Sequence, residues 1–431
     1  MSLFIKEIVR SMTIKTYGDS MMPIFRDGDV IKLKKIQFLA IQPNDIVCYQ
    51  QGKFLVTHRV IYKSDIYLIT KGDNNSLSDG KIRPDKILGR VSAIKRDGQN
   101  LNIEDIYLFQ SSIYFEEIKR IVGILNKEKI DFVLLKGLPL HLFIEKKHPR
   151  RIYADCDILV AKKDASKAKE VLVNEGYKSL DFSLSKEHKK LKDKVVEESY
   201  GKEINGFPVI FDIHYEAAFM MTQLGSLNTL YPQKLLDEFT KSLLNNKRMI
   251  EIEGGEFPLL SLEDQIIYLF LHLFHHNFRG AYRYDILVKI LDSKFDKNEL
   301  VKIGRQNQLS NFIYAGLVLL QKYYPDKKYQ EIIDLLDVSN IVKKYVKEKI
   351  IVTKIFNDED RVGGGVKRFL LLFYLSPRPI LIRFLTIFNK QVIYSIWWVI
   401  INKTRQTTLQ KSPSMQRIIQ KVSKKRMLDK K

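Results

Sequence analysis

From Thr13 to about Ile103, apolar residues come in short runs separated by turn-forming Gly, Asp and Asn, as at Asp27-Gly28-Asp29, Gly72-Asp73-Asn74-Asn75 and Asp97-Gly98. That alternation predicts a compact β domain with few helices. From about Tyr107 the period lengthens. Ile118, Ile121, Val122 and Leu125 recur at helical spacing, and Phe132-Val133-Leu134-Leu135 follows as the unbroken apolar run of a buried strand. A second strand is expected over Cys156–Val160, an amphipathic helix over about Asp164–Glu175 ending at Gly176, and a later strand over Val209–His214. Strands alternating with a helix in this way form an α/β pattern. Beyond Leu262 nearly every segment has the helical period, including Ile266–Phe278 and Tyr284–Leu291. The chain of 431 residues therefore divides into an all-β domain over 1–105, an α/β domain over 115–300 and a helical extension over 301–431.

Composition narrows the class. With 45% hydrophobic and 28% charged residues the chain is globular, and its length is that of a multidomain protein. The two cysteines, Cys48 and Cys156, stand far apart outside any CxxC or Cys/His cluster, so neither a disulfide framework nor a structural zinc site is expected. A reducing, cytoplasmic compartment follows. The opening Met1 to Ile14 is too short and too charged for a signal sequence. Arg383 and the Asn389-Lys390-Gln391 triplet interrupt the most apolar C-terminal region below the length of a bilayer-spanning helix.

Charge adds a possible surface role. The net charge is +22, and Lys and Arg crowd the tail from Lys403 onward against the single acid Asp429. Such a tail suits three descriptions: a solvated basic surface, peripheral contact with an anionic membrane, or contact with nucleic acid, the last ranking lowest. Residues 379–403, with Phe384, Phe388, Trp397 and Trp398 among basic side chains, fit either a helix lying flat at a lipid interface or an ordinary core helix.

Two constellations carry chemistry. A hydroxyl nucleophile needs a base within hydrogen-bond reach, usually a His that a carboxylate orients. The N-terminal domain holds Ser20 in a turn-rich approach, His58 at the end of an apolar strand, and Asp73 and Asp79 bracketing a polar loop. Nucleotidyl transfer needs carboxylates that hold magnesium. Asp155 and Asp157, one residue apart on a strand, face the same side because strand side chains alternate, and Asp212 on a neighbouring strand is placed to complete the cradle. His272, His275 and His276 share a helical face, but no HExxH is present and their neighbours mark a mostly buried helix whose histidines satisfy polar contacts or line the nucleotide site. Asp285 reads as a salt-bridge partner.

The blocks GDSMMPIFRDGDVI, DIVCY, THRVI, TKGDNNSLSD and ILGRV, together spanning residues 17 to 91, resemble signal peptidase I of the archaeal and endoplasmic-reticulum type. The resemblance implies a pseudo-barrel β fold shared with self-cleaving SOS-type repressors. It also implies a serine endopeptidase without cofactor, acting on a peptide or protein substrate, with Ser20 as nucleophile, His58 as general base, Asp79 as orienting carboxylate and Asp73 supporting the site. Met22-Pro23-Ile24 stands where the family has Glu-Pro-Thr, and only Met1 to Asp19 precede Ser20, where the family carries a transmembrane helix.

The segment LLKGLPLHLFIEKKHPRRIYADCDILV, with NEGY, FDIHYE, LSLEDQIIYLFLHLFHH and YRYDIL after it, resembles an uncharacterised nucleotidyltransferase family over roughly residues 115 to 295. It implies a nucleoside triphosphate substrate and Mg2+, with Asp155, Asp157 and Asp212 as metal ligands, Lys136 and Gly137 where phosphates would be met, and Arg151 on phosphate. Lys136-Gly137 replaces the Gly-Ser usual in the wider superfamily. The expectation is a two-module enzyme. The alternative is a regulatory or binding protein in which one or both modules are non-catalytic, or act only by self-cleavage.

Overall fold

The computed structural model describes residues 12–75, 77–153, 155–180, 196–205, 207–218, 229–357, 364–390 and 392–393; the basic tail, Trp397 and Trp398 lie outside them. The described chain forms two units. The first takes in residues up to Ile113 together with His148–Ile152, and the second Tyr114–Lys147 with the residues from Tyr153 onward.

In the first unit the short apolar runs become strands β1 (Met12–Lys15), β2 (Val30–Lys34), β3 (Ile46–Gln51), β4 (Phe54–Lys63), β5 (Leu68–Lys71), β6 (Lys81–Ile82), β7 (Ile87–Arg96) and β8 (Gln99–Asn102). They pair antiparallel in the order β1-β2-β7-β3-β4-β5-β6, with β8 added beside β7. Central β3 is covered on both faces. Ile46 and Cys48 join the cluster of Met21, Ile24, Phe25 and Val91, whereas Val47 and Tyr49 join that of Val60 and Leu68. This is the alternation a pleated strand imposes. Among the described residues β1 and β6 do not pair, so the sheet is open. The described strands thus form no closed sheet, and the pseudo-barrel expectation is not confirmed.

The helix α1 (Ile103–Lys127) has its residues to Ile113 in the first unit and its remainder in the second. The second unit continues through β9 (Phe132–Lys136), α2 (Leu138–Glu145), β10 (Asp155–Val160), α3 (Ala165–Asn174), β11 (Lys178–Ser179), β12 (Glu197–Ile204), β13 (Phe207–His214), α4 (Gln233–Asn245), β14 (Arg248–Ile252) and β15 (Gly255–Leu259). Its seven-stranded sheet has the order β11-β12-β13-β10-β9-β15-β14, with β10 parallel to β13 and β9 parallel to β15. The apolar runs Phe132–Leu135 of β9 and Ile158–Val160 of β10 mark strands buried on both faces. Phe132, Leu134, Ile158 and Val160 pack with Ile118, Val122 and Leu172 of α1 and α3, while Val133, Leu135 and Leu159 face the other way.

That other face is covered by helices: α5 (Leu262–His275), α6 (Ala281–Leu291), α7 (Lys297–Gln306), α8 (Ser310–Tyr323), α9 (Lys327–Leu335), α10 (Asn340–Tyr345), α11 (Gly364–Leu375) and α12 (Ile380–Ile387). Phe270, Leu317, Ile332 and Leu372 from these helices share one apolar core with Leu135 and Leu159 of the sheet. α5 starts where Ser261 accepts a hydrogen bond from the Asp264 amide, an N-cap that satisfies one of the helix's unpaired donors. No helix among the described residues is long and apolar enough to cross a membrane. Leu381, Phe384, Leu385 and Phe388 are exposed.

Candidate functional site

In the first unit, Met21, Ile24 and Phe25 anchor the turn that carries Ser20, and the Asn74 amide donates to the Ser20 carbonyl at 2.8 Å. His58 lies midway along β4 and is nearly buried. Its Nε2 is 3.0 Å from Ser20 Oγ and its Nδ1 2.7 Å from Asp79 Oδ2. Asp79 is held in turn: its amide donates to the Thr70 carbonyl at 2.9 Å and its Oδ2 accepts from Thr70 Oγ1 at 2.9 Å. Ser20, His58 and Asp79 thus form one hydrogen-bonded line, from residues spread over 60 positions of sequence.

Asp73 stands outside that line. The neighbouring strand residue Arg59 grips its carboxylate through Nε at 2.7 Å and Nη2 at 2.6 Å, and the same guanidinium donates to Tyr107 OH and to the Asn44 and Arg150 carbonyls. This pair links the polar loop to β4. Arg59 and Thr70 are residues that the sequence reading did not single out. Consecutive strand positions with different partners gave Arg59 no motif of its own.

In the second unit the parallel register of β10 and β13 sets Asp157 beside Asp212. Asp155, Asp157 and Asp212 each offer an oxygen, all within 4.8 Å of one another. Lys136 of β9 lies opposite Asp157, its Nζ 2.9 Å from Asp155 Oδ2 and also paired with Asp157. Burial alone would pull this lysine's pKa down, but the two carboxylates hold it well above the ordinary range. Asp212 goes the other way. Burial, followed by the charges of Asp157, Glu197 and Asp155, pushes its pKa up to about 8.

His214, two residues after Asp212 and so on the same face of β13, places Nε2 at 2.9 Å from Asp157 Oδ1. Burial opposes its protonation, yet Asp157 and Glu197 leave its pKa raised. The i, i+2 relation to Asp212 is the signal by which sequence could have found it. Gly137 follows Lys136 at φ 113°, where a Cβ would lie 3.3 Å from the Asp155 carbonyl, so a residue without a side chain suits the turn into α2. Arg151 falls in the short segment belonging to the first unit. Asp285 pairs with Lys289 at 3.3 Å.

The cradle suits a divalent cation. Asp212 Oδ1 is buried without a hydrogen-bond partner among the described residues, and three carboxylates are the hard oxygen set that magnesium takes. Cys48 and Cys156 are free and buried.

Residues 107–325 match the family described as uncharacterised nucleotidyltransferase, a span that includes the mixed sheet and helices α5 to α8. The crystal structure of an antigenic nucleotidyltransferase-like protein from Paracoccidioides brasiliensis is similar at 13% identity, covering 53% of this chain and 96% of that one, with a TM-score of 0.33, too low to bear on the fold. No curated protein matches.

Proposed function

The chain belongs to the uncharacterised nucleotidyltransferase family, and from that premise we propose that its second unit transfers a nucleotidyl group from a nucleoside triphosphate to an acceptor, with pyrophosphate leaving as the bond between the α- and β-phosphates breaks. The observation that carries the reading is the convergence of Asp155, Asp157 and Asp212 within 4.8 Å. Magnesium, when bound there, supplies the positive charge that draws the triphosphate into place and stabilises charge as the phosphoryl bond changes hands. The chain's own residues do the positioning. His214 fixes the orientation of Asp157 through Oδ1, and Lys136 offsets the charge of Asp155 and Asp157, which leaves it to meet the phosphates on this reading. Gly137 is the further phosphate contact of this reading.

The test uses purified full-length protein with labelled nucleoside triphosphate and magnesium, alongside Asp155→Ala and Asp157→Ala. Label transfer and manganese binding should both vanish in the variants; retention of either in both variants rejects the assignment.

A second reading concerns the first unit and is favoured by the hydrogen-bonded line at 3.0 and 2.7 Å. It is a serine endopeptidase of the signal-peptidase kind. Ser20 Oγ attacks a peptide carbonyl as His58 Nε2 takes its proton, and Asp79 holds the other ring nitrogen. The proton then passes from His58 to the leaving amine, and water completes hydrolysis of the acyl-serine. A fluorophosphonate probe should label wild type and spare Ser20→Ala. Cleavage confined to the protein's own chain would favour self-processing, and absence of labelling would favour a binding module.

A further inference from the structure

α12 is turned inside out for a helix on a water-facing surface. Its buried positions are Arg383, 9% exposed, and Thr386, 1% exposed, whereas Leu381, Phe384, Leu385 and Phe388 face out, with Leu381 68% and Phe388 74% exposed. Residues 381, 384, 385 and 388 follow the i, i+3, i+4, i+7 spacing of a single helical face. In a surface helix that packs on a core, such a face is the covered one.

Hydrogen bonds hold the inverted setting. Arg383 donates from Nε to the Arg378 carbonyl at 2.6 Å and from Nη1 to the Phe373 and Tyr374 carbonyls at 3.2 and 3.1 Å, so it caps the end of α11. Thr386 Oγ1 lies 2.8 Å from Thr229 Oγ1. Rolling the helix over to cover its apolar face would break these bonds and leave buried polar groups unpaired.

The surroundings are basic. Arg378 and Lys390 flank the helix at its two ends, and no Asp or Glu stands between Asp360 and Asp429, while Lys and Arg recur throughout that stretch. A second copy of a chain with net charge +22 would bring like charges together. Nucleic acid supplies negative charge but no apolar layer to receive four large side chains. A bilayer with anionic headgroups supplies both.

We propose that α12 docks the protein on an anionic phospholipid surface, with Leu381, Phe384, Leu385 and Phe388 entering below the headgroups and the flanking basic residues at headgroup level. Its eight residues span about 12 Å at the rise of an α-helix, so it lies in the interface and does not cross it. This contact is independent of both enzymatic readings above.

Full-length protein carrying Phe388→Cys with an environment-sensitive fluorophore reads the contact directly, because the native Cys48 and Cys156 are buried and escape labelling. Emission should shift to the blue with vesicles of mixed phosphatidylcholine and phosphatidylserine, and far less with phosphatidylcholine alone. Emission that ignores vesicles, or responds equally to neutral ones, overturns the proposal. In co-sedimentation, unlabelled wild type should bind the anionic vesicles, and binding should weaken as salt screens the headgroups. Phe384→Gln combined with Leu385→Gln should weaken it about tenfold, the size expected for withdrawing two partly inserted apolar side chains. Equal binding by wild type and the double variant would mean that basic charge alone carries the attraction, and overturns the proposal as well. Should thermal melting show the double variant unfolded, Leu381→Gln takes its place with a loss in the same direction. A lipid-free dimer in sedimentation equilibrium that the same variant dissociates would assign the face to a second copy and sink the membrane assignment.

Discussion

Lys136 and Asp157 are a pair whose value depends on what else the cradle holds. Both side chains are largely buried, and their attraction offsets the cost of taking two charges out of water. Lys136→Met leaves the carboxylates without their cation and is expected to lower the stability of the metal-free protein by about 3 kcal/mol, the usual cost of breaking a buried ion pair. Added magnesium should then raise the melting temperature more in the variant than in wild type, because the ion takes over the lost compensation. Equal magnesium shifts in calorimetric melts would contradict this. Asp79 has a different task, since it orients an imidazole. Asp79→Asn keeps the shape but trades a carboxylate, which only accepts, for an amide that also donates and so no longer fixes the His58 tautomer, and on the peptidase reading a Ser20-dependent rate should fall by about 10^3 to 10^4. A drop of less than tenfold in peptide hydrolysis would show that Thr70 and the fold position His58 without it. At this scale Ser20, His58 and Asp79 were legible from the order of their motifs. Asp73 was not separable from Asp79, because both sit in one polar loop and only the position of Arg59 distinguishes them.

Among the elements, strands proved easiest to read and helix contacts hardest. The runs predicted over 132–135, 156–160 and 209–214 fall within β9, β10 and β13. The apolar stretch of a strand buried on both faces runs continuously, so its sequence announces it. The helix expected over about 164–175 matches α3 within a residue at each end. Helix packing carries no such local mark. Gly316 of α8 lies where an added Cβ would be 2.2 Å from Phe270 Cδ1 of α5. Gly→Ala inside a helix ordinarily stabilises by about 1 kcal/mol. Here overpacking, at about 1–3 kcal/mol, opposes that gain in a core where Phe270 is fully buried. Gly316→Ala is therefore expected to be neutral to destabilising by up to about 2 kcal/mol in urea unfolding, and a clear stabilisation would mean that Phe270 yields without cost.

For the whole molecule, stability against acid is set partly by Glu117, which ties α1 to distant parts of the second unit. It accepts from Arg120 Nη2 at 2.8 Å and Tyr177 OH at 2.9 Å, with Lys202 at 3.6 Å. Burial works against its ionised form, but these partners leave its pKa lowered. A carboxyl whose folded pKa lies below the unfolded value of about 4.3 stabilises above that pH, and the contribution is lost as pH falls through the folded value. Glu117→Gln should cost about 1 kcal/mol at pH 7, a figure kept small because Arg120 is partly solvated, and the difference from wild type should vanish below the folded pKa. In urea titrations the difference should shrink from pH 7 to pH 3; an undiminished difference at pH 3 would exclude the ionised carboxylate as the cause.

The sequence by itself determined the change from β to α/β to helical texture, the strands of the second unit's core, and the residue types of both candidate centres, because burial period and motif order are written locally. Tertiary structure alone decided that β1 and β6 do not pair among the described residues, that β10 and β13 run parallel in the register that sets Asp157 beside Asp212, that His214 joins them, and that Arg59 rather than His58 claims Asp73. Those outcomes depend on strand partners and side-chain distances between residues far apart in the chain. No local periodicity encodes such pairings; the energy of the assembled fold selects them.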